Sequence, residues 1–287
     1  ALDASMKGAA RAATSKVLEP AKGDGLIYAA RPIVLGGEDL TVIVRADLAM
    51  DFTEVFLEYF KQLSEVHIGK MARKYKVSFE TNQLTACAGI AYVQATQPFH
   101  SAYGLAASLC DHAKEHAKHQ AKVLGKDFIP STLSFYRVTT SVIENYASAI
   151  LPQHRTTTDG LRFTLEAYAL EPESGLPTLA ALKKLLSVVN DDRMPQSFVR
   201  ELLGILGNDK LRASQRYNRW REVVARQGDA GVAFRDDFDR ALGELVELQP
   251  DLPFGTPGND ALRRTPLGDI NILSHAIRGA AETGENA

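Results

Sequence analysis

Gly36, Gly37, Glu38 and Asp39 stand between two β-rich apolar runs, Ile33-Val34-Leu35 and Leu40 through Val44. Two adjacent carboxylates at a tight turn present oxygen ligands to Mg²⁺ or Mn²⁺, hard cations that share their coordination sphere with water and phosphate. Glu38 and Asp39 are therefore the candidate metal ligands and catalytic residues. Gly36 and Gly37 are the candidate phosphate-approach positions, because they admit positive backbone dihedral angles and place no Cβ in the path of a triphosphate. For the four residues alone an ordinary surface hairpin is the simpler reading. Their setting shifts the balance, since a helix, a small-residue strand and a lysine-bearing helix follow.

Other chemically capable residues are weaker candidates. His112, His116 and His119 fall at i, i+4 and i+7, the spacing of imidazoles on one helix side and of a transition-metal site. No carboxylate or cysteine cluster in the sequence identifies a further ligand, so a solvated polar face is expected. Lys114, Lys118 and Lys122 form a separate basic row that suits phosphates or plain solvent equally well. In Arg212 to Arg221, Tyr217 and Trp220 are expected to anchor a helix while the arginines stay solvated. Asp191-Asp192 reads as a helix-ending loop. No P-loop, GxSxG or HExxH pattern is present to support a Walker ATPase, a serine hydrolase or a metalloprotease.

The elements that must position the turn can be read from periodicity. Residues 4 to 19 carry Ala9, Ala10, Ala13, Val17 and Leu18 at helical spacing, and Arg31 to Arg45 has the pattern of a hairpin with a glycine-dependent turn. The nearly continuous apolar character of its strands predicts cover on both faces. Phe52, Val55, Phe56, Tyr59, Phe60 and Leu63 make an apolar stripe, followed by a basic linker from His67 to Asn82. Residues 84 to 93 predict a strand in which Gly89 permits close backbone approach. After Pro98 comes a long helix with Leu105, Leu109, Ala113, Ala117, Ala121 and Leu124 buried, and then a strand within Phe128 to Val138. Beyond about residue 140 the patterns are mainly helical: Thr178 to Val189, Ser197 to Leu206, Lys210 to Arg226 and Phe234 to Leu248. Arg162 to Tyr168 reads as a strand and 249 to 268 as a loop.

The 287 residues suffice for one large domain or two small ones, and two are expected, 1–140 and 141–287. A net charge of −2 gives no general attraction to nucleic acid or anionic membrane. Two cysteines, Cys87 and Cys110, are too few for a disulfide framework and are expected to be buried in a protein of the cytoplasm. No apolar run is long enough for a conventional membrane span. The chain enters a helical pattern at once from Ala1, so an upstream piece is expected.

The series RPIVLGGEDLTVIV at 31–44, LTACAGIAYV at 84–93 and PFHSAYGLAASLCDHAKEHAK at 98–118 resembles the second palm domain of the type III CRISPR large subunit, the Cas ten or Cmr two family, and more distantly GGDEF diguanylate cyclases. LEAYAL at 165–170 and LPTLAALKKLL at 176–186 are similar, more weakly, to the region after the palm in standalone relatives. The resemblance implies an α+β fold: a ferredoxin-like palm, an antiparallel sheet with helices on one face, followed by a mainly helical C-terminal region. It also implies ATP with Mg²⁺ or Mn²⁺ at Glu38 and Asp39, phosphates near Gly36 and Gly37, and a helix lysine, Lys114 or Lys118, facing those phosphates.

By the same resemblance, active members join ATP into cyclic oligoadenylates by two-metal chemistry in antiviral defence, with CRISPR effector subunits, or RNA through them, as partners. Two departures follow. Glu38 replaces the usual first Asp of the turn, and the family's opening strand, with its further metal-binding Asp, has no counterpart before the first helix. A catalytically silent nucleotide sensor or assembly module therefore stays open, as does a cyclase using GTP.

Overall fold

The computed structural model describes residues 1–21, 29–79, 81–126, 128–140, 142–195, 197–249, 251–256 and 260–284, the side chains of the last seven of these excepted. Helix α1, Leu2–Ala13, opens the chain and runs on through one wider helical turn at Thr14–Leu18. Its small residues Ala9, Ala10 and Ala13 are buried against a long helix that follows the hairpin. The approach is close enough that a Cβ on Gly8 would meet Leu63 Cδ1 at 2.6 Å. Ser5 Oγ and His67 Nδ1 lie 2.8 Å apart across the same contact.

The hairpin comprises β1, Ala30–Gly36, and β2, Asp39–Val44, paired antiparallel from Ala30 opposite Val44 to Gly36 opposite Asp39. Its register shifts between Pro32 and Val34, where the proline offers no N–H to the ladder. The expectation that both faces are covered is corrected here. Ile33, Val34, Leu35 and Ile43 are each more than 40% exposed. The hairpin is a two-stranded sheet of its own, with no further strand beside it among the described residues, and only Leu40, Val42 and Val44 pack on the core.

Helix α2, Ala49–Tyr75, buries Phe52, Phe56, Leu57 and Phe60, so the apolar stripe read from spacing is its inner face. The helix also absorbs the stretch expected as a basic linker: Lys70, Arg73 and Lys74 lie on its last turns. It ends at Lys76, whose left-handed φ of 54° closes the C-terminus. Lys183 Nζ reaches back to Asp51 and Glu54 on its first turns, at 2.6 Å each.

Strand β3, Cys87–Tyr92, helix α3, Phe99–Val123, and strand β4, Thr132–Arg137, form a βαβ unit with β3 and β4 parallel in register from Cys87 opposite Thr132 to Tyr92 opposite Arg137. The buried stripe of α3 is Leu105, Leu109, Ala113, Ala117 and Ala121, as its spacing predicts. Leu124, expected with them, lies past the helix end and is 42% exposed. Gly125 follows with φ +61°.

Past a short helix α4, Leu151–His154, the segment expected as one strand, Arg162 to Tyr168, is split between two sheets. Strand β5, Leu161–Arg162, pairs parallel with a strand from the loop at 249–268, whereas β6, Tyr168–Ala169, joins β4 antiparallel. Glu166, at φ +74°, makes the break. Helices α5, Leu179–Val189, α6, Phe198–Leu206, α7, Lys210–Ala225, and α8, Asp229–Gly243, follow. Strand β7, Arg263–Arg264, is the partner of β5, and α9, Leu267–Gly284, closes the chain.

Trp220 is the hub of this half, stacked on Phe198 at 4.7 Å and edge-on to Phe238 at 5.0 Å, in keeping with its expected anchoring role. One contiguous core runs from Met6 and Phe56 through Phe135 and Tyr168 to Trp220 and Leu273, so buried residues from both sides of position 140 belong to it. The fold is α+β, with mainly helical structure after β6.

Candidate functional site

The turn between β1 and β2 has two residues, Gly37 and Glu38. Gly37 takes φ +63° while Glu38 has no positive φ, the pattern of a II′ hairpin turn, in which only the first position demands glycine. A Cβ at Gly36 or Gly37 would meet nothing within 4 Å, so the space over both glycines is open. Glu38 and Asp39 are both exposed.

Helix α1 reaches this turn. The Asp3 carboxylate, on the first turn of α1, takes Lys7 Nζ at 2.9 Å. It is held below its ordinary range by that hydrogen bond first, with desolvation opposing, and also by the Lys7 charge and the backbone N–H of Gly37. A third carboxylate, that of Asp3, thus sits beside the turn. Burial pushes the Cys110 thiol up to about 11, and nearby Cys87, Asp111 and Asp39 push it the same way while Lys114 opposes them.

Asp39 and Lys114 therefore both lie within electrostatic reach of one thiol. Lys114 and Lys118 act together on Cys87, whose thiol is raised mainly by burial. Both lysines are exposed, as are their neighbours on the outer face of α3. Gly36, Gly37 and Asp39 belong to the hairpin turn and Lys114 to the exposed face of α3, with Lys118 one turn further along the helix.

The second cluster is one whose key member spacing did not reveal. His112, expected on a solvated face, is only 7% exposed; this is a correction, and its cause is the Tyr146 ring edge-on at 5.0 Å together with the Glu166 carboxylate at 3.3 Å. His112 and His116 stand one turn apart with ring centroids at 4.6 Å. Their Nε2 atoms lie 3.3 and 3.2 Å from the same oxygen, Oε2 of Glu166.

The other carboxylate oxygen, Oε1, accepts from Arg162 Nη1 at 2.5 Å and from Arg264 Nη2 at 3.1 Å. Ser134 Oγ donates to the Glu166 carbonyl at 2.7 Å, and the Glu166 N–H donates to Thr164 Oγ1 at 2.8 Å. These bonds hold a left-handed backbone that costs a non-glycine residue on the order of 1 kcal/mol or more. Burial raises the Glu166 carboxyl, but the two imidazoles and Arg162 outweigh it, and the net direction is strongly down. His119, three residues beyond His116, is exposed and outside this group. Among the described residues, His112, His116 and Glu166 alone bring three metal-capable side chains within ligand distance of one another. Glu38 and Asp39 have no third ligand that close.

No family model and no curated protein matches the chain. The remaining expected features resolve without chemistry. Asp191 caps its own loop by accepting from Arg193. Tyr217 donates to Asp239 from the core side of α7, and Arg221 pairs with the same carboxylate. No described helix is long and apolar enough to cross a membrane.

Proposed function

We propose that this chain binds a nucleoside triphosphate, ATP by the sequence resemblance, together with Mg²⁺ or Mn²⁺ at the Gly36–Asp39 turn, as a palm protein of the CRISPR polymerase and cyclase type. The observation that carries this reading is the open turn itself. Two glycines with free space above them stand beside two exposed acids, Asp3 approaches from α1, and Lys114 lies within electrostatic range of Asp39's surroundings. Oxygen ligands would hold the metal, the glycine backbone would admit the phosphates, and Lys114, with Lys118 behind it, would offset their charge. In an active palm the metals lower the pKa of an attacking ribose hydroxyl and offset charge on the transferred phosphoryl group. Glu38 and Asp39 are the residues assigned to that role.

The ferredoxin-like palm is part of the same proposal. The hairpin followed by α2, β3 and α3 supports it, and a strand between the free edge of β2 and the free edge of β3 would complete a continuous sheet. That these two sheets are not joined by pairing favours a second reading, nucleotide binding without turnover.

Calorimetric titration of ATP with MgCl₂ into the full chain tests the proposal. Binding is expected in the wild type, weakened more than about tenfold, ~1.4 kcal/mol, in the Glu38→Ala, Asp39→Ala double variant. A folded wild type that takes up neither ATP nor GTP overturns the assignment. Chromatography of the reaction mixture then separates the readings: a cyclic or linear oligonucleotide product supports catalysis in the antiviral signalling lineage, and intact nucleotide supports the sensor.

A further inference from the structure

The cluster on the inner face of α3 has the make-up of a separate metal centre. Two neutral imidazoles and one carboxylate are a borderline ligand set, suited to zinc and its first-row neighbours rather than to the all-oxygen shells of Mg²⁺ or Ca²⁺. A tetrahedral ion with bonds of about 2.0–2.1 Å requires ligand atoms roughly 3.3 Å apart. The two Nε2–Oε2 edges measure 3.3 and 3.2 Å, and all three ligand atoms fall within 4.8 Å of one another.

The buried member of the trio points the same way. His112 Nε2 is inaccessible to solvent and faces Oε2 of Glu166 at 3.3 Å, out of line for a good hydrogen bond. A buried ring nitrogen without a well-aligned partner carries the cost of its lost solvation. A cation placed between that nitrogen and the carboxylate oxygen removes the cost and turns a strained proximity into two coordinate bonds.

The surroundings suit an ion as well. Arg162 and Arg264 occupy only Oε1, so they fix the carboxylate plane and leave Oε2 facing the imidazoles, the orienting role that outer partners play at metal centres. Asp260 accepts from Arg264 and balances one of the two guanidinium charges. Nine-tenths burial of His112 and Glu166 shields the ion, while the His116 side chain, a third exposed, leaves a path to solvent.

We propose that His112, His116 and Glu166 bind one divalent transition-metal ion of the zinc class, with its fourth position open to water or a small ligand. The ion would cross-link α3 to the segment between β5 and β6, residues 50 apart in sequence. The centre is independent of the Gly36–Asp39 turn and draws on none of its residues.

The test uses the full, tag-free chain stripped with a chelator and titrated with ZnCl₂ against a chromophoric competitor. One zinc per chain is expected, with affinity falling at least about a hundredfold in His116→Ala and in Glu166→Gln, since loss even of an outer partner costs 10–100-fold. His119→Ala, on the same helix but outside the cluster, is expected to bind as the wild type does. Replacing zinc with Co²⁺ should give the intense visible bands of a four-coordinate nitrogen and oxygen site, a wild-type readout that stands whether or not the variants fold. Less than one zinc per chain, a six-coordinate Co²⁺ spectrum, undiminished affinity in a folded His116→Ala, or equal loss in His119→Ala would each overturn the proposal.

Discussion

Gly89 is the position where a single added methyl should cost the most. It lies on β3 directly beneath α3, and an ideal Cβ there would stand 2.0 Å from the Ala106 carbonyl oxygen, 2.5 Å from Cys110 N and 2.9 Å from Leu109 Cβ. Two of these neighbours are backbone atoms of a regular helix and cannot swing aside as a side chain would. Relief in Gly89→Ala therefore requires α3 to withdraw from the sheet by about 1 Å or more, since contacts below about 3.0 Å are not tolerated.

Overpacking typically costs 1–3 kcal/mol. The displaced helix also loosens the buried stripe of Leu105, Leu109 and Ala113, so we place Gly89→Ala at about 3 kcal/mol. For a chain of 287 residues that corresponds to a fall in Tm of roughly 5 °C. Urea and thermal unfolding followed by circular dichroism measure it. The control is Gly36→Ala, where the φ is ordinary and no atom lies within 4 Å, and which should leave Tm nearly unchanged. If Gly89→Ala unfolds within about 0.5 kcal/mol of the wild type, the β3–α3 packing argued here is wrong.

Asp269 accepts from Arg155 Nη2 at 2.5 Å, Tyr168 Oη at 2.6 Å and Leu165 N at 3.0 Å while almost fully buried. Asp269→Ala strands all three donors and should cost about 3–5 kcal/mol in urea unfolding, against about 1 kcal/mol for Tyr168→Phe; the reverse order would refute the network. The Cys110 thiol, raised to about 11 chiefly by burial, should hold about a hundredfold less thiolate at neutral to mildly alkaline pH than a thiol at the ordinary 9.0. Because the thiolate is the reactive form, alkylation of Cys110 by iodoacetamide in the folded chain should be slow near pH 8 and accelerate as pH rises toward 11; labelling as fast as in the urea-unfolded chain at pH 8 would contradict it.

Local order determined what the sequence alone could tell. The 3.6-residue stripes of α2 and α3, the glycine-dependent hairpin turn and the aromatic anchors Tyr217 and Trp220 are set by side chains close together along one helix or turn. Gly89, too, was legible, because a glycine in a strand of small residues signals close approach. The basic run from Lys70 to Lys74 belongs to α2 and not to a linker, because charge marks an exposed face, not the end of a helix whose hydrogen bonds continue beneath it.

Tertiary structure decided the rest. Whether the hairpin's apolar side chains are covered depends on which elements pack over its faces, and Ile33, Val34, Leu35 and Ile43 remain exposed while Leu40, Val42 and Val44 meet the core. Asp3 came to Gly37 only through the packing of α1. The histidines of α3 carried a visible spacing, but Glu166 stands 50 residues beyond His116 and turns toward it through a left-handed backbone that its own residue type does not announce. Helical periodicity names the face on which an imidazole lies; what that face meets is fixed by a chain segment distant in sequence, and so only the folded structure could show it.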